Sequence, residues 1–196
     1  MITKKDLFYT FLAALITGFI GQNLIPMLAN DIQFTHWDFS CLIANLDIYP
    51  LVIVMMICLA NNGPKHVFLR IFIYFVGLCI GYYGWTSGLT ICEAVKYSES
   101  RLLCNLLSDA TDAAEYILLG LLAGVWGYFT IKFESKRALF YFFISPFVIA
   151  DILAFCFNLF IKIDANIIMA AIDFLCIIGI CFLVRKRIKS CNTEQL

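Results

Sequence analysis

Long apolar runs alternate with short polar breaks along the whole chain. Six of them, at 7–28, 41–60, 67–91, 106–129, 138–160 and 165–184, are each about 20 residues long, the length an α-helix needs to cross roughly 30 Å of hydrocarbon. The runs are continuous and lack period-two alternation, so a transmembrane β-barrel is not expected. The expected fold is all-α. It is a single transmembrane helical domain over residues 1–196, a polytopic membrane protein built as a bundle of about six transmembrane helices.

Composition agrees. Hydrophobic residues make up 62% and charged residues 14% of the chain, against roughly 45–50% and 25% in soluble domains. Too little of the sequence is polar to coat a water-facing surface. The first run follows Lys4 and Lys5 and could be mistaken for a signal peptide. It is longer than the usual apolar region of about 7–15 residues, and Met27-Leu28-Ala29 is a poor cleavage site. It reads as a mature helix.

The distribution of charge adds an orientation, although the formal net charge is zero. With six spans, Lys4, Lys5, Lys65, Arg70, Lys132, Lys136, Arg137, Arg185, Lys186, Arg187 and Lys189 share one side. Only Lys96, Arg101 and Lys162 fall on the other. The positive-inside rule puts the first group, and with it both termini, in the cytoplasm of a cell-membrane protein. Arg185-Lys186-Arg187 reads as a stop-transfer anchor. Residues 93–105 form the longest outer loop.

Within the spans lie Asp47, Asp109, Asp112, Glu115, Asp151 and Asp173. Arg70, near an inner end, is their only basic companion there. An ionised carboxylate at the bilayer centre costs at least about 2.5 kcal/mol, so these acids must be protonated, hydrogen-bonded, hydrated or bound to a cation. They occur from the midplane outward, in the manner of an acidic funnel open to the outside. At 100° per residue Asp109, Asp112, Tyr116, Gly120, Ala123 and Gly127 share one face of the fourth span. The fifth aligns Asp151, Ala154 and Asn158, and the sixth aligns Asn166, Ala170, Asp173 and Cys176. The expected ligand site is Asp112, Glu115, Asp151 and Asp173, with Tyr116 as hydrogen-bond donor or π face and Asp47 and Asp109 at the mouth. Asp112, Asp151 and Asp173 are expected to face one interior space. The plainer alternatives are helix-terminal charges for Asp109 and Asp112, and single hydrogen-bonded carboxyls for Asp151 and Asp173.

Gly77, Gly81, Gly84 and Gly88 form a small-residue stripe on the third span. Ala14 and Gly18 form another on the first. Such stripes mark close helix contacts, within the fold or with a partner membrane subunit. Of the nine cysteines, Cys92 and Cys104 bracket the outer loop and could close it with a disulfide. His36 and His66 fall on opposite sides of the membrane and cannot share a site. The sequence has no HExxH, no Gly-x-Gly-Asp, no CxxC and no glycine-rich phosphate loop. Enzyme chemistry is therefore not the expectation, no cofactor is implied, and nucleic-acid binding has no support. Whether a metal binds is left open.

Six spans in under 200 residues, with a small-residue stripe on the first, are similar in architecture to the substrate-binding subunits of energy-coupling-factor vitamin transporters. No motif is shared. The expected function is a small membrane transporter or solute-binding subunit. It takes a cationic or protonatable ligand, or a proton, from the outer side into a carboxylate-lined cavity. The alternatives are a non-catalytic interaction protein (an immunity, assembly or regulatory subunit) and, behind it, a membrane-embedded enzyme. Besides the lipid bilayer, the expected partners are the ligand and a membrane subunit docked through the first or third helix.

Overall fold

A computed structural model describes residues 4–20, 48–60, 62–97, 100–161 and 167–193, and every element in these segments is helical. The helices are α1 (Lys4–Phe19), α2 (Tyr49–Cys58), α3 (Gly63–Tyr97), α4 (Ser100–Lys132), α5 (Arg137–Cys156) and α6 (Ile167–Thr193). A π-helical turn, Phe157–Ile161, continues α5. Each expected span therefore has a helical counterpart. Among the described residues, three stretches are long and apolar enough to cross a membrane: Gly63–Glu93, Leu106–Lys132 and Arg137–Phe160.

The short α2 sits at the centre. Seven of its ten residues are buried, so the helix is apolar all round, as a helix enclosed on every side must be. It touches α3, α4, α5 and α6. α3 packs against α1 on one side and α4 on the other, and α5 pairs with α6. Ile57 of α2, Val67, Ile71 and Phe75 of α3, Phe140 and Ile144 of α5, and Ile180 of α6 form the common core.

The α1–α3 seam is made by small residues. A Cβ placed on Gly18 would strike the Leu78 carbonyl oxygen. One on Gly77 would lie 2.7 Å from the Phe11 carbonyl oxygen, and one on Gly81 would strike the Leu15 carbonyl. The Ala14–Gly18 and Gly77–Gly81 steps thus close on each other inside the chain. Gly88 faces open space and Gly84 meets only the Ile80 side chain, so the C-terminal half of the α3 stripe is unused among the described residues. The α4 stripe also packs as expected, with Gly120 against Phe75 and Gly127 against Ile71.

The outer loop expected at 93–105 is a correction. α3 runs on to Tyr97 and α4 starts at Ser100, leaving little chain for a loop. Apolarity ends near Ile91, but helicity does not. No glycine or proline interrupts 93–105, and in the sequence Glu93 and Lys96 have the i, i+3 spacing that supports a helix. At 35 and 33 residues the two helices are about 50 Å long, well beyond the hydrocarbon thickness. Cys92 and Cys104 stand on this hairpin as separate, exposed thiols.

At the opposite end, Arg187 joins three elements. Its Nη1 donates to the Ala60 carbonyl at the end of α2 at 2.9 Å. Its Nε and Nη2 donate to Glu134 Oε2, between α4 and α5, at 3.1 and 2.8 Å. The basic run read as a topological anchor thus also clamps this end of the bundle.

Candidate functional site

α5 contains a proline, Pro146. Its missing N–H strands the carbonyl four residues earlier, that of Phe142, and in hydrocarbon such a group must find a partner inside the protein. Ser145 Oγ donates to it at 2.9 Å. The neighbouring Phe143 carbonyl accepts from Trp126 Nε1 of α4 at 2.7 Å. Phe129 of α4 and Phe133, just beyond its end, stack on the Phe143 ring at interplanar angles of 14° and 6°. These contacts tie α4 to α5 near the link between them. Farther from that link the two helices leave a cavity of about 400 Å³.

Tyr49 and Ile53 of α2, Phe75 of α3 and Trp126 of α4 wall this cavity. Pro146, Phe147 and Asp151 of α5 complete it. Asp151 is the one ionisable acid among the described lining residues, and both of its carboxylate oxygens are sealed from the cavity as well as from solvent. The volume lies within the usual range of about 300–1,000 Å³ for small-molecule pockets, which are mostly apolar with a few polar groups that fix orientation. Four aromatic side chains and one acid on the same cavity suit an organic ammonium, through charge pairing and cation–π attraction.

Asp173 is also fully buried, on α6, where it accepts from Asn158 Nδ2 at 2.9 Å. Asn158 lies in the π-helical turn that follows α5. Asp151 and Asn158 are seven residues apart, so they share a face of α5 about 10 Å apart along the axis. The faces inferred for these helices hold, because Ala170, Asp173 and Cys176 are all buried on α6. Asn166 lies outside the described residues.

Tyr116 stands in a cluster with Tyr49, Tyr82 and Tyr83, at ring-centroid distances of 6.5, 6.5 and 6.4 Å. Tyr49 belongs to both the cluster and the cavity wall. Asp112 lies within electrostatic reach of Tyr83 and Tyr116. Asp112 and Glu115 are exposed. Asp109 is half-buried and accepts from Ser87 Oγ of α3 at 3.0 Å. Asp47 lies outside the described residues.

Among the described residues, none of the described cavities is lined by more than one of Asp112, Asp151 and Asp173. Of the three, only Asp151 lines the cavity. The tyrosine cluster occupies the α2–α3–α4 contact between Tyr49 and Asp112, and α6 contributes no described lining residue. Sequence reasoning missed Tyr49, Phe75, Trp126 and Pro146 as parts of a site. Pro146, within a long apolar run, was the available signal. Among the described residues no three His, Cys, Asp or Glu side chains converge as a metal site would require.

No protein-family model, no curated protein and no solved structure matches the chain.

Proposed function

We propose that the protein is a small membrane transporter or solute-binding subunit for a cationic or protonatable organic ligand, held in the cavity at Asp151. The observation that carries this reading is a fully buried acid, Asp151, in the wall of an aromatic-lined cavity of about 400 Å³. An inorganic ion is served poorly by walls so apolar. An amine with an apolar body fits both parts of the site. In this reading the six helices correspond to six spans of a cell-membrane protein with both termini in the cytoplasm, and Asp112 and Glu115 raise the local concentration of cations at the outer surface.

The test is a thermal-shift screen of the purified protein against alkylamines, arylamines, alkali ions and divalent ions. A ligand at a hundred times its Kd stabilises by about 2.7 kcal/mol, which for a chain of this size raises Tm by roughly 5–10 °C. Stabilisation by organic amines, lost in Asp151→Asn, supports the proposal. Stabilisation by metal ions alone removes it. The alternative of a non-catalytic interaction protein draws on the Asn158–Asp173 bond, in which a deep acid is engaged structurally.

A further inference from the structure

The walls of the Asp151 cavity differ in what lies behind them. Tyr49, Ile53 and Phe75 back onto the core. Toward the gap between α4 and α5 the lining residues face out of the protein. Leu122 is 58% and Leu119 is 37% exposed, and Pro146 and Ala150 are exposed as well. These positions fall in the central parts of two helices apolar enough to cross a membrane; with the helices in a bilayer, the medium outside the gap is hydrocarbon. The outer approach is different. Tyr49, Tyr82, Tyr83 and Tyr116 fill the contact between the cavity and the exposed acids Asp112 and Glu115.

We propose that the cavity opens sideways into the bilayer between α4 and α5, and that its ligand is a lipid-partitioning amine rather than a water-soluble cation. This rests on the amine-binding reading of Asp151. Pro146 lies inside α5 just beyond the Trp126–Phe143 bond, and the cavity lies between the two helices there. The ammonium group pairs with Asp151 once its carboxylate, sealed behind the wall in this structure, turns to meet it. The apolar body lies along Leu119, Leu122 and Ala150, where it exchanges lipid contacts for protein contacts. Recruitment from the membrane also accounts for so apolar a lining.

Trp126 is a native reporter, because it lines the cavity beside the gap. The experiment uses the full chain carrying Trp37→Phe and Trp85→Phe, reconstituted in phosphatidylcholine nanodiscs with or without mid-chain-brominated phosphatidylcholine. Trp126 emission is expected to be quenched by the brominated lipid and not by aqueous iodide. Dodecylamine should relieve the lipid quenching saturably, at a concentration at least about tenfold below that of methylamine, because only the longer amine buries apolar surface. Quenching by iodide without quenching by lipid shows a water-facing cavity. Equal potency of methylamine and dodecylamine shows that the apolar body is not recognised. Either result overturns the inference and leaves the amine reading standing. If neither amine changes Trp126 emission, or the change persists in Asp151→Asn, the amine reading fails and the lateral route falls with it. The comparison of the two amines keeps Asp151 intact, so the test survives if Asp151→Asn does not fold.

Discussion

Gly81→Ala tests the packing that holds α1 in the bundle. A Cβ at position 81 would strike the Leu15 carbonyl oxygen and lie 2.9 Å from both Leu15 C and Phe19 N. All three are backbone atoms of α1, so no rotamer change can relieve the overlap. Carbon contacts are comfortable at about 3.5–4.0 Å, and the overlap with the Leu15 carbonyl oxygen requires the helices to separate by about 1–1.5 Å to approach that range. Separation loosens the packing at Ala14, Gly18 and Leu78, which are almost fully buried. Overpacking of this kind costs about 1–3 kcal/mol, beyond any gain from replacing glycine in a helix. Gly88→Ala on the same helix is the control. Nothing lies within 4 Å of its Cβ, so only the helix-propensity gain of up to about 1 kcal/mol remains. Thermal unfolding in detergent should show Gly81→Ala melting lower than wild type by roughly 3–10 °C and Gly88→Ala melting no lower than wild type. If both variants melt together, the α1–α3 seam does not have the closeness described.

Arg187→Ala should destabilise by about 1–3 kcal/mol, because it leaves the Ala60 carbonyl and Glu134 without their donor. In a double-mutant cycle with Glu134→Ala the ion pair alone should contribute about 0.5–1 kcal/mol, since both side chains are partly exposed. Arg187→Lys should not rescue fully, because one ammonium cannot reproduce the guanidinium fork. Trp126→Phe should cost about 0.5–1.5 kcal/mol in a melt, by removing the bond to the Phe143 carbonyl; an unchanged melt would show that this bond does not tie α4 to α5. Reporter fusions should place residues 61–66 and the chain after Arg185 in the cytoplasm and the α3–α4 hairpin tip outside. The opposite placement would invert the orientation.

Helix positions and faces were legible in the sequence because they depend on apolarity and on the 3.6-residue period. Gly18, Gly77, Gly81, Gly120 and Gly127 lie in contacts that their spacing announces. Helix ends were less legible. Residues 93–105 lose apolarity without losing helix propensity, and a membrane boundary is not a helix boundary. The site was legible only in part. The deep acids could be listed and assigned to helix faces. Which of them share a space depends on how α2 threads the bundle and on where the cavity beside Pro146 lies, and neither leaves a periodic signal. The burial of Asp151 and Asp173 followed from their faces. The exposure of Asp112 did not, because its stripe packs only from Tyr116 inward. Arg187 looked like any cytoplasmic basic residue, since its partners, Ala60 and Glu134, are far away in sequence.

The central claim is that Asp151 holds the charge of an organic amine. Its most direct test is equilibrium binding of dodecylamine to the purified protein in nanodiscs, comparing wild type with Asp151→Asn, Asp112→Asn and Asp173→Asn. The account predicts saturable binding at one site. Affinity should fall at least about tenfold, or 1.4 kcal/mol, in Asp151→Asn and change less than about threefold in Asp112→Asn, whose side chain lies outside the cavity. Asp173→Asn should affect folding stability more than affinity. Equal affinity in wild type and a folded Asp151→Asn, or no saturable binding to either, would contradict the claim.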